Sequence, residues 1–289
     1  MTPFELLEPR SLQEAVGLLD PDDESVRPVA GGTALMLMMK AGIFAPRRLI
    51  SLQHIEAKYA NVDVSKSGEL RVGAMATLSA LERKKEAAAA FPVLAGMLPS
   101  LSNVRVRNVA CVGGALAHGD PHMDLPPVFA ALGAKAALVG PKGSREVAVE
   151  QLYTGYYETV IGRDELISEV TVPALQGRKA AYLKITARSA DDWPALGVAV
   201  AFNADGNKLS DVRVVASAAT AMVTRLGEAE KILNGANAVD VTLKAAGEAA
   251  AKEAPVIGDM RGSVAYKREL LRIAVGRAVR QALSGKTRH

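Results

Sequence analysis

The sequence predicts an α+β protein of two domains, residues 1–175 and 176–289. Two patterns and a break predict it. In the first part, short apolar runs alternate between the two-residue period of strands and the 3.6-residue period of helices. In the second, three strand-like runs follow one another and only helical patterns come after them, the order of an α+β layer. Leu175-Gln176-Gly177 separates the two patterns.

The elements follow in order. Ser11-Leu12-Gln13-Glu14 is a capping box, after which Leu12, Ala15, Val16 and Leu19 fall on one helical face. Residues 26–30 read as a strand, 35–40 as a helix, and 48–52 and 70–73 as further strands. Residues 78–90 and 91–101 read as helices, with Pro92 tolerated in a first turn. Apolar and polar side chains then alternate over 104–112. A short helix at 125–132 leads to strands at 134–139 and 145–149, joined by Gly140-Pro141-Lys142-Gly143, and 166–172 closes the region at Pro173. Beyond the break, 181–188, 198–202 and 212–218 read as strands, the last two joined by the hairpin signal Ala204-Asp205-Gly206-Asn207. Helical patterns occupy 226–233, 239–253 and 266–283.

Composition narrows the function classes. A net charge of +4 over 289 residues is small, and no Lys/Arg cluster is interleaved with aromatics, so nucleic acid is not an expected partner. Arg83-Lys84-Lys85 is flanked by Glu82 and Glu86 and reads as a solvated helix face. No apolar run reaches the length of a membrane span, and Met1-Thr2-Pro3-Phe4-Glu5 carries no signal-peptide pattern, so a cytoplasmic protein is expected. The single cysteine, Cys111, excludes an intrachain disulfide and a cysteine-held iron–sulfur cluster within this chain.

Two glycine pairs carry the chemistry. Ala30-Gly31-Gly32-Thr33 follows a strand and precedes a helix; Cys111-Val112-Gly113-Gly114-Ala115 stands far downstream. Adjacent glycines permit positive φ and remove Cβ atoms, so successive N–H groups can converge on an anion, and a helix starting past Thr33 adds its positive end. Neither pair fits the G-x-G-x-x-G or G-x-x-x-x-G-K-[ST] pattern, so a Rossmann or P-loop site is not indicated. Two such loops in one chain suit a ligand with two phosphates, and a dinucleotide cofactor is the natural candidate.

Other constellations are weaker. His118-Gly119-Asp120-Pro121-His122-Met123-Asp124 offers two imidazoles and two carboxylates, but Pro121 bends the segment and the other histidines, His54 and His289, are distant; a polar loop is the expected reading and no metal site is expected. Cys111 has no neighbouring base to make it a nucleophile. Lys184 with Arg188 reads as a surface pair or as a cationic edge for a cofactor. Asp191-Asp192 starts a turn, with Trp193 beside it as an interface anchor.

These residues together resemble the FAD-binding medium subunit of molybdenum-containing hydroxylases, the family of carbon monoxide dehydrogenase, xanthine dehydrogenase and 4-hydroxybenzoyl-CoA reductase. The resemblance runs from Phe4-Glu5-Leu6-Leu7-Glu8-Pro9 through both glycine pairs, Val106-Arg107-Asn108, Asp120-Pro121, Asp124, Tyr182-Leu183-Lys184, Arg188 and Asp191-Asp192 to Ala265-Tyr266-Lys267-Arg268 and Leu271. It implies a two-part PCMH-type (vanillyl-alcohol oxidase-like) FAD-binding domain, followed by a C-terminal domain of a three-stranded sheet with helices. It also implies that Gly31, Gly32 and Thr33, flanked by Ala30 and Ala34, line the FAD pyrophosphate, and that Gly113 and Gly114, flanked by Cys111 and Ala115, form the opposing loop. Asp124 is implied to bond the ribityl or ribose hydroxyls, Ile167 to pack near the flavin, and Lys184 to reach its polar edge.

The implied function is an oxidoreductase component without a catalytic triad. Electrons arrive from the [2Fe–2S] clusters of a small subunit, which drains a large molybdenum-cofactor subunit, and leave through FAD to NAD, a quinone or oxygen. The implied assembly is a dimer of heterotrimers. Ala34, Cys111, Ala115 and Met123 stand where the family usually has side chains with hydrogen-bonding oxygens, each worth about 0.5–1.5 kcal/mol when paired. FAD affinity then rests on backbone N–H groups, or falls; the alternative is a non-redox structural or assembly subunit with weak or no FAD binding. A stand-alone flavoprotein of the same fold, such as a UDP-N-acetylenolpyruvylglucosamine reductase, needs substrate-binding and proton-donor residues that the sequence does not supply.

Overall fold

Ser11 starts the first helix as its motif requires. Its hydroxyl accepts the Glu14 N–H at 3.1 Å, while the Glu14 carboxylate reaches back to the Arg10 N–H at 2.7 Å, one residue earlier than a standard capping box. We describe the chain from a computed structural model, which covers residues 2–285. Strand β1 (Glu5–Leu7) and helix α1 (Leu12–Gly17) lead to β2 (Val26–Val29), α2 (Leu35–Lys40) and β3 (Arg48–Ser51). The strands form a small parallel sheet in the order β1-β3-β2, with β3 paired to both neighbours.

A second, antiparallel sheet is built from β4 (Val62–Val64) and β5 (Leu70–Gly73) at one edge. Six short helices follow: α3 (Leu78–Arg83), α4 (Lys85–Ala90), α5 (Pro92–Met97), α6 (Val104–Arg107), α7 (Val112–Ala117) and α8 (Leu125–Leu132). The chain then returns through β6 (Lys135–Gly140) and β7 (Gly143–Ala148), makes a small hairpin with β8 (Tyr153–Gly155) and β9 (Glu158–Thr159), and completes the sheet with β10 (Leu166–Val172) in the centre.

Three sequence expectations change here. The helix expected over 78–90 divides at Lys84, whose ψ of 101° leaves the helical region, because α4 packs on β4 while α3 packs towards α6. The alternating stretch 104–112 is a helical turn leading to the start of α7. Asn103 caps that turn by accepting the Val106 N–H at 3.1 Å, and Arg107 is spent on Glu82 at 2.9 Å and on the Pro99 and Ser102 carbonyls. The helix at 91–101 ends early, at Met97, followed by a 3₁₀ turn at Leu98–Ser100 that contains Pro99.

The remaining elements are β11 (Lys179–Ile185), β12 (Leu196–Asp205), β13 (Lys208–Ser217), β14 (Thr224–Arg225), α9 (Gly227–Leu233), α10 (Asp240–Glu253) and α11 (Val264–Ser284). The three expected strands are present, and the two-residue β14 adds an edge. The hairpin turn is Gly206-Asn207, with Gly206 at φ +55° and Asp205 opposite Lys208.

Strand β12 is buried on both faces, which explains its unbroken apolar run. Val198, Val200 and Phe202 pack on Ala246, Leu271 and Val275 of the helices. Ala199 and Ala201, with Val215 and Tyr182, join the core that holds Val128 and Phe129 of α8. The loops that carry the glycine pairs lie in the first of the two domains. Among the described residues, no helix is long and apolar enough to cross a membrane.

Candidate functional site

The first glycine pair is a junction between β2 and α2. Gly32 has φ +68°, a conformation that L side chains rarely adopt. Gly31 is needed for a different reason: a Cβ there would lie 1.9 Å from the Val109 carbonyl oxygen. The first α2-type bond runs from the Met36 N–H to the Gly32 carbonyl at 2.9 Å. The N–H groups of Gly32, Thr33, Ala34 and Leu35 make no hydrogen bond among the described residues. Ala34 caps the helix with no side-chain bond, so a run of four backbone donors stands at the positive end of α2.

The second pair opens α7 rather than a positive-φ loop, which corrects the expectation for Gly113 and Gly114: a helical turn presents one free donor, the Gly114 N–H, without left-handed backbone. Cys111 bridges Thr77, and the chain is held by N–H bonds from Leu78 to Ala110, from Val112 to Ala76 and from Gly113 to Ala74, all at 2.8–2.9 Å. Gly113 is a packing glycine, since its Cβ would meet the Ala74 Cβ at 2.6 Å. Gly114 is exposed, its N–H is unpartnered among the described residues, and the nearest atom to its missing Cβ is the Ala30 Cβ at 3.9 Å. Ala115 closes the turn, donating its N–H to Cys111 at 2.9 Å.

The two pairs therefore meet. Gly31 abuts Val109, Ala30 faces Gly114, and the buried Cys111 thiol reaches the Val109 carbonyl at 3.5 Å. Burial pushes the Cys111 thiol up to about 11, so it stays protonated. In each pair one glycine permits a close approach and the other leaves a free donor. Open donors, two helix N-termini and a gap without Cβ atoms fit an anionic diphosphate.

Asp124 and Lys184 come together across the two domains. Lys184 Nζ donates to Asp124 Oδ2 at 2.9 Å and to the Ser100 carbonyl at 2.8 Å, and the Tyr182 hydroxyl donates to Asp124 Oδ1 at 2.6 Å. Burial pushes the Asp124 carboxyl above its ordinary value, with the Lys184 charge and both hydrogen bonds opposing. Burial, reinforced by the Asp124 charge, also pushes the Tyr182 hydroxyl up. Removing one member of a buried pair leaves the other charge unpaired, at a cost of about 3–5 kcal/mol. Lys184→Met is expected to lower the melting temperature by several degrees, and Lys184→Met with Asp124→Asn to recover part of the loss; differential scanning calorimetry reads both. Ile167 lies on β10, buried in the core of the five-stranded antiparallel sheet beside a β-bulge.

The histidine-rich loop forms a second cross-domain network. His122 Nδ1 lies 2.8 Å from Asp120 Oδ1, and His122 Nε2 lies 2.8 Å from Asp259 Oδ2. Lys267, fully buried on α11, donates to the same Asp259 oxygen and to the Ala218 carbonyl, both at 2.8 Å. Burial pushes the Asp259 carboxyl up, but the bonds from Lys267 and His122 outweigh it and hold it down at about 2. Burial lowers His118, whose ring meets Tyr157 edge-on at 5.2 Å. Among the described residues, no group of three His, Cys, Asp or Glu side chains is placed to hold a metal. His54 pairs with Glu8 at the surface, and His289 lies outside the described residues.

Tyr182, Asp259 and Lys267 are functional-site neighbours that sequence reasoning did not single out for these roles. Lys267 had a signal: it falls in register with the buried Leu271, Ala274, Val275 and Ala278, a lysine on an apolar stripe. Asp259 had none, because its partners come from remote segments.

Residues 2–175 match the family described as the FAD binding domain in molybdopterin dehydrogenase. The chain belongs to the FAD-binding medium subunits of the molybdenum hydroxylases. Residues 181–282 of this medium subunit match the CO dehydrogenase flavoprotein C-terminal domain. It is 32% identical over 284 residues to the carbon monoxide dehydrogenase medium chain of Hydrogenophaga pseudoflava, covering 97% of this chain and 96% of that one. It is 28% identical to the glyceraldehyde dehydrogenase medium chain of Sulfolobus acidocaldarius, covering 96% and 98%. Among solved structures, the Hydrogenophaga pseudoflava carbon monoxide dehydrogenase lacking the Mo-pyranopterin moiety superposes with a TM-score of 0.93 at 31% identity, covering 98% of this chain and 99% of that one. Quinoline 2-oxidoreductase from Pseudomonas putida 86 gives 0.91 at 25% identity, covering 99% of both. The medium subunit is thus an oxidoreductase component, and FAD is its cofactor.

Proposed function

We propose that this medium subunit is the electron-exit component of a molybdenum hydroxylase. In this reading residues 1–175 carry the FAD loops and 176–289 complete the cleft. The FAD pyrophosphate sits against the N–H groups of Gly32, Thr33, Ala34 and Leu35 and faces the Gly114 N–H. Gly31 and Gly113 allow the close approaches that bring the loops together, and Cys111 packs beneath them, bonded to the Val109 carbonyl. Ala115 continues the α7 turn, and Ile167 contributes apolar surface near the flavin. Asp124 and Lys184 set one domain against the other at the flavin's polar edge. When bound, FAD supplies the redox chemistry, exchanging electrons between partner [2Fe–2S] clusters and an external acceptor such as NAD, a quinone or oxygen. The protein's own work is to bind, orient and shield; no general acid or base is required of it. Partners in this reading are a large molybdenum-cofactor subunit and a small [2Fe–2S] subunit, assembled as a dimer of heterotrimers.

The observation that carries the proposal is the run of four N–H groups, unpartnered among the described residues, on the loop whose Ala30 faces Gly114. Backbone donors of this kind make up for the missing side-chain oxygens at Ala34 and Ala115. The test is the visible absorption spectrum of the chain purified alone and reconstituted with FAD. Oxidised-flavin bands, with FAD released on denaturation, are expected. A protein that stays colourless alone and also within its purified complex would favour the structural-subunit alternative.

A further inference from the structure

The segment that follows α7 has little slack. Gly119, at φ +70°, is pressed on the Tyr157 backbone, where an added Cβ would come within 3.0 Å. Tyr157 itself holds φ +60° in the β8–β9 turn. From there the chain enters a closed ring of contacts with the C-terminal domain. Pro121 accepts the Ala218 N–H at 2.8 Å, Ala218 accepts Lys267, Lys267 donates to Asp259, and Asp259 meets His122. The other Asp259 oxygen takes the Arg261 N–H at 2.7 Å, so the residue also shapes its own turn. Asp120 Oδ1 accepts both the His122 N–H at 2.9 Å and the Nδ1 side of its ring. Both ring nitrogens of His122 are thus engaged, each 2.8 Å from a carboxylate oxygen, one on either domain.

We propose that His122 is a positioning residue: a latch between the domains that fixes the C-terminal end of α7 and, through it, the Gly114 donor. The link is short. His118 caps α7, and its N–H bonds the Gly114 carbonyl at 3.1 Å, so the glycine and the latch segment are one helical turn apart. Asp124, two residues beyond His122, is tied to Lys184 at 2.9 Å, so the segment is clamped at both ends. The reach from latch to cofactor rests on the FAD reading above; the latch itself does not.

The chain carries its own reporter. Trp193, its only tryptophan, stacks on His122 with ring centroids 5.9 Å apart and planes 15° apart, and the Arg261 guanidinium lies 4.9 Å from the indole. Contact with the stacked imidazole ring quenches indole emission, so loss of the stack brightens Trp193.

The test compares the full chain with His122→Gln, Asp259→Asn and the double variant, with circular dichroism and thermal melts as controls. Two readouts are taken: Trp193 emission without FAD, and the FAD dissociation constant by titration. Both single variants are expected to brighten Trp193 and to weaken FAD about tenfold, with the double variant no weaker than either single one, as for two ends of one contact. Unchanged Trp193 emission in His122→Gln overturns the latch. Brighter emission with unchanged FAD affinity, or losses that multiply to about a hundredfold in the double variant, overturns the positioning role. Asp259→Asn preserves shape and carries both readouts if His122→Gln does not fold. A parent chain that binds no FAD defeats the cofactor reading, while the emission readout still decides the latch.

Discussion

Gly114→Val is expected to abolish FAD binding and leave the fold intact. The would-be Cβ of Gly114 meets nothing closer than the Ala30 Cβ at 3.9 Å, and the residue is exposed in the first turn of α7. Valine is a slightly better helix former than glycine, so the free chain is expected to melt within about 0.5 kcal/mol of the parent. The two γ-methyls, however, fill the gap between the loops and cover the one α7 N–H that is free among the first three. A pyrophosphate displaced by a methyl group loses its close donors together, a loss of at least about a hundredfold in affinity. Titration of FAD into parent and variant, with melts alongside, measures both quantities. A Gly114→Val chain that keeps full FAD affinity would mean that the two-loop site is wrong.

Gly31→Ala is expected to act oppositely, through the fold. An alanine Cβ there would sit 1.9 Å from the Val109 carbonyl oxygen and 2.9 Å from the Ala110 Cα, all backbone that cannot rotate aside. The loops must separate. The cost is about 3 kcal/mol, at the upper end for overpacking, and FAD binding falls with it. Gly17→Ala is the control, because nothing lies within 4 Å of that Cβ and the change is expected to be neutral or stabilising. Calorimetry of the two alanine variants side by side separates a specific clash from a general intolerance of substitution; equal melting temperatures would remove the close-approach account of Gly31.

What was legible in the sequence was local. The Ser11 cap, the Gly206-Asn207 hairpin and the long apolar stripe of α11 are each set by residues a few positions apart, and all three formed as expected. Both glycine pairs were visible as well. Which glycine of each pair does what was not, because Gly31 is dictated by Val109 and Gly113 by Ala74, contacts made only when distant segments meet. The same holds for Asp124: its neighbours Tyr182 and Lys184 arrive from beyond the domain break, so its burial had no local sign. Residues 104–112 misled because a four-residue helix capped by Asn103 is too short to show a helical period.

The double-sided burial of β12 bears on how such proteins can diversify. Its helix-facing residues belong to one domain's interior, while Ala199 and Ala201 sit in the interior of the other, beside Phe129. The strand lies wholly within the C-terminal family match, yet one of its faces lines the other domain's interior. An exchange of one half for that of a distant relative would place a foreign surface against Phe129 and Val128, where even one additional methylene is felt. The halves are separable on paper but inherited as a unit, and change in one has to be answered by change in the other.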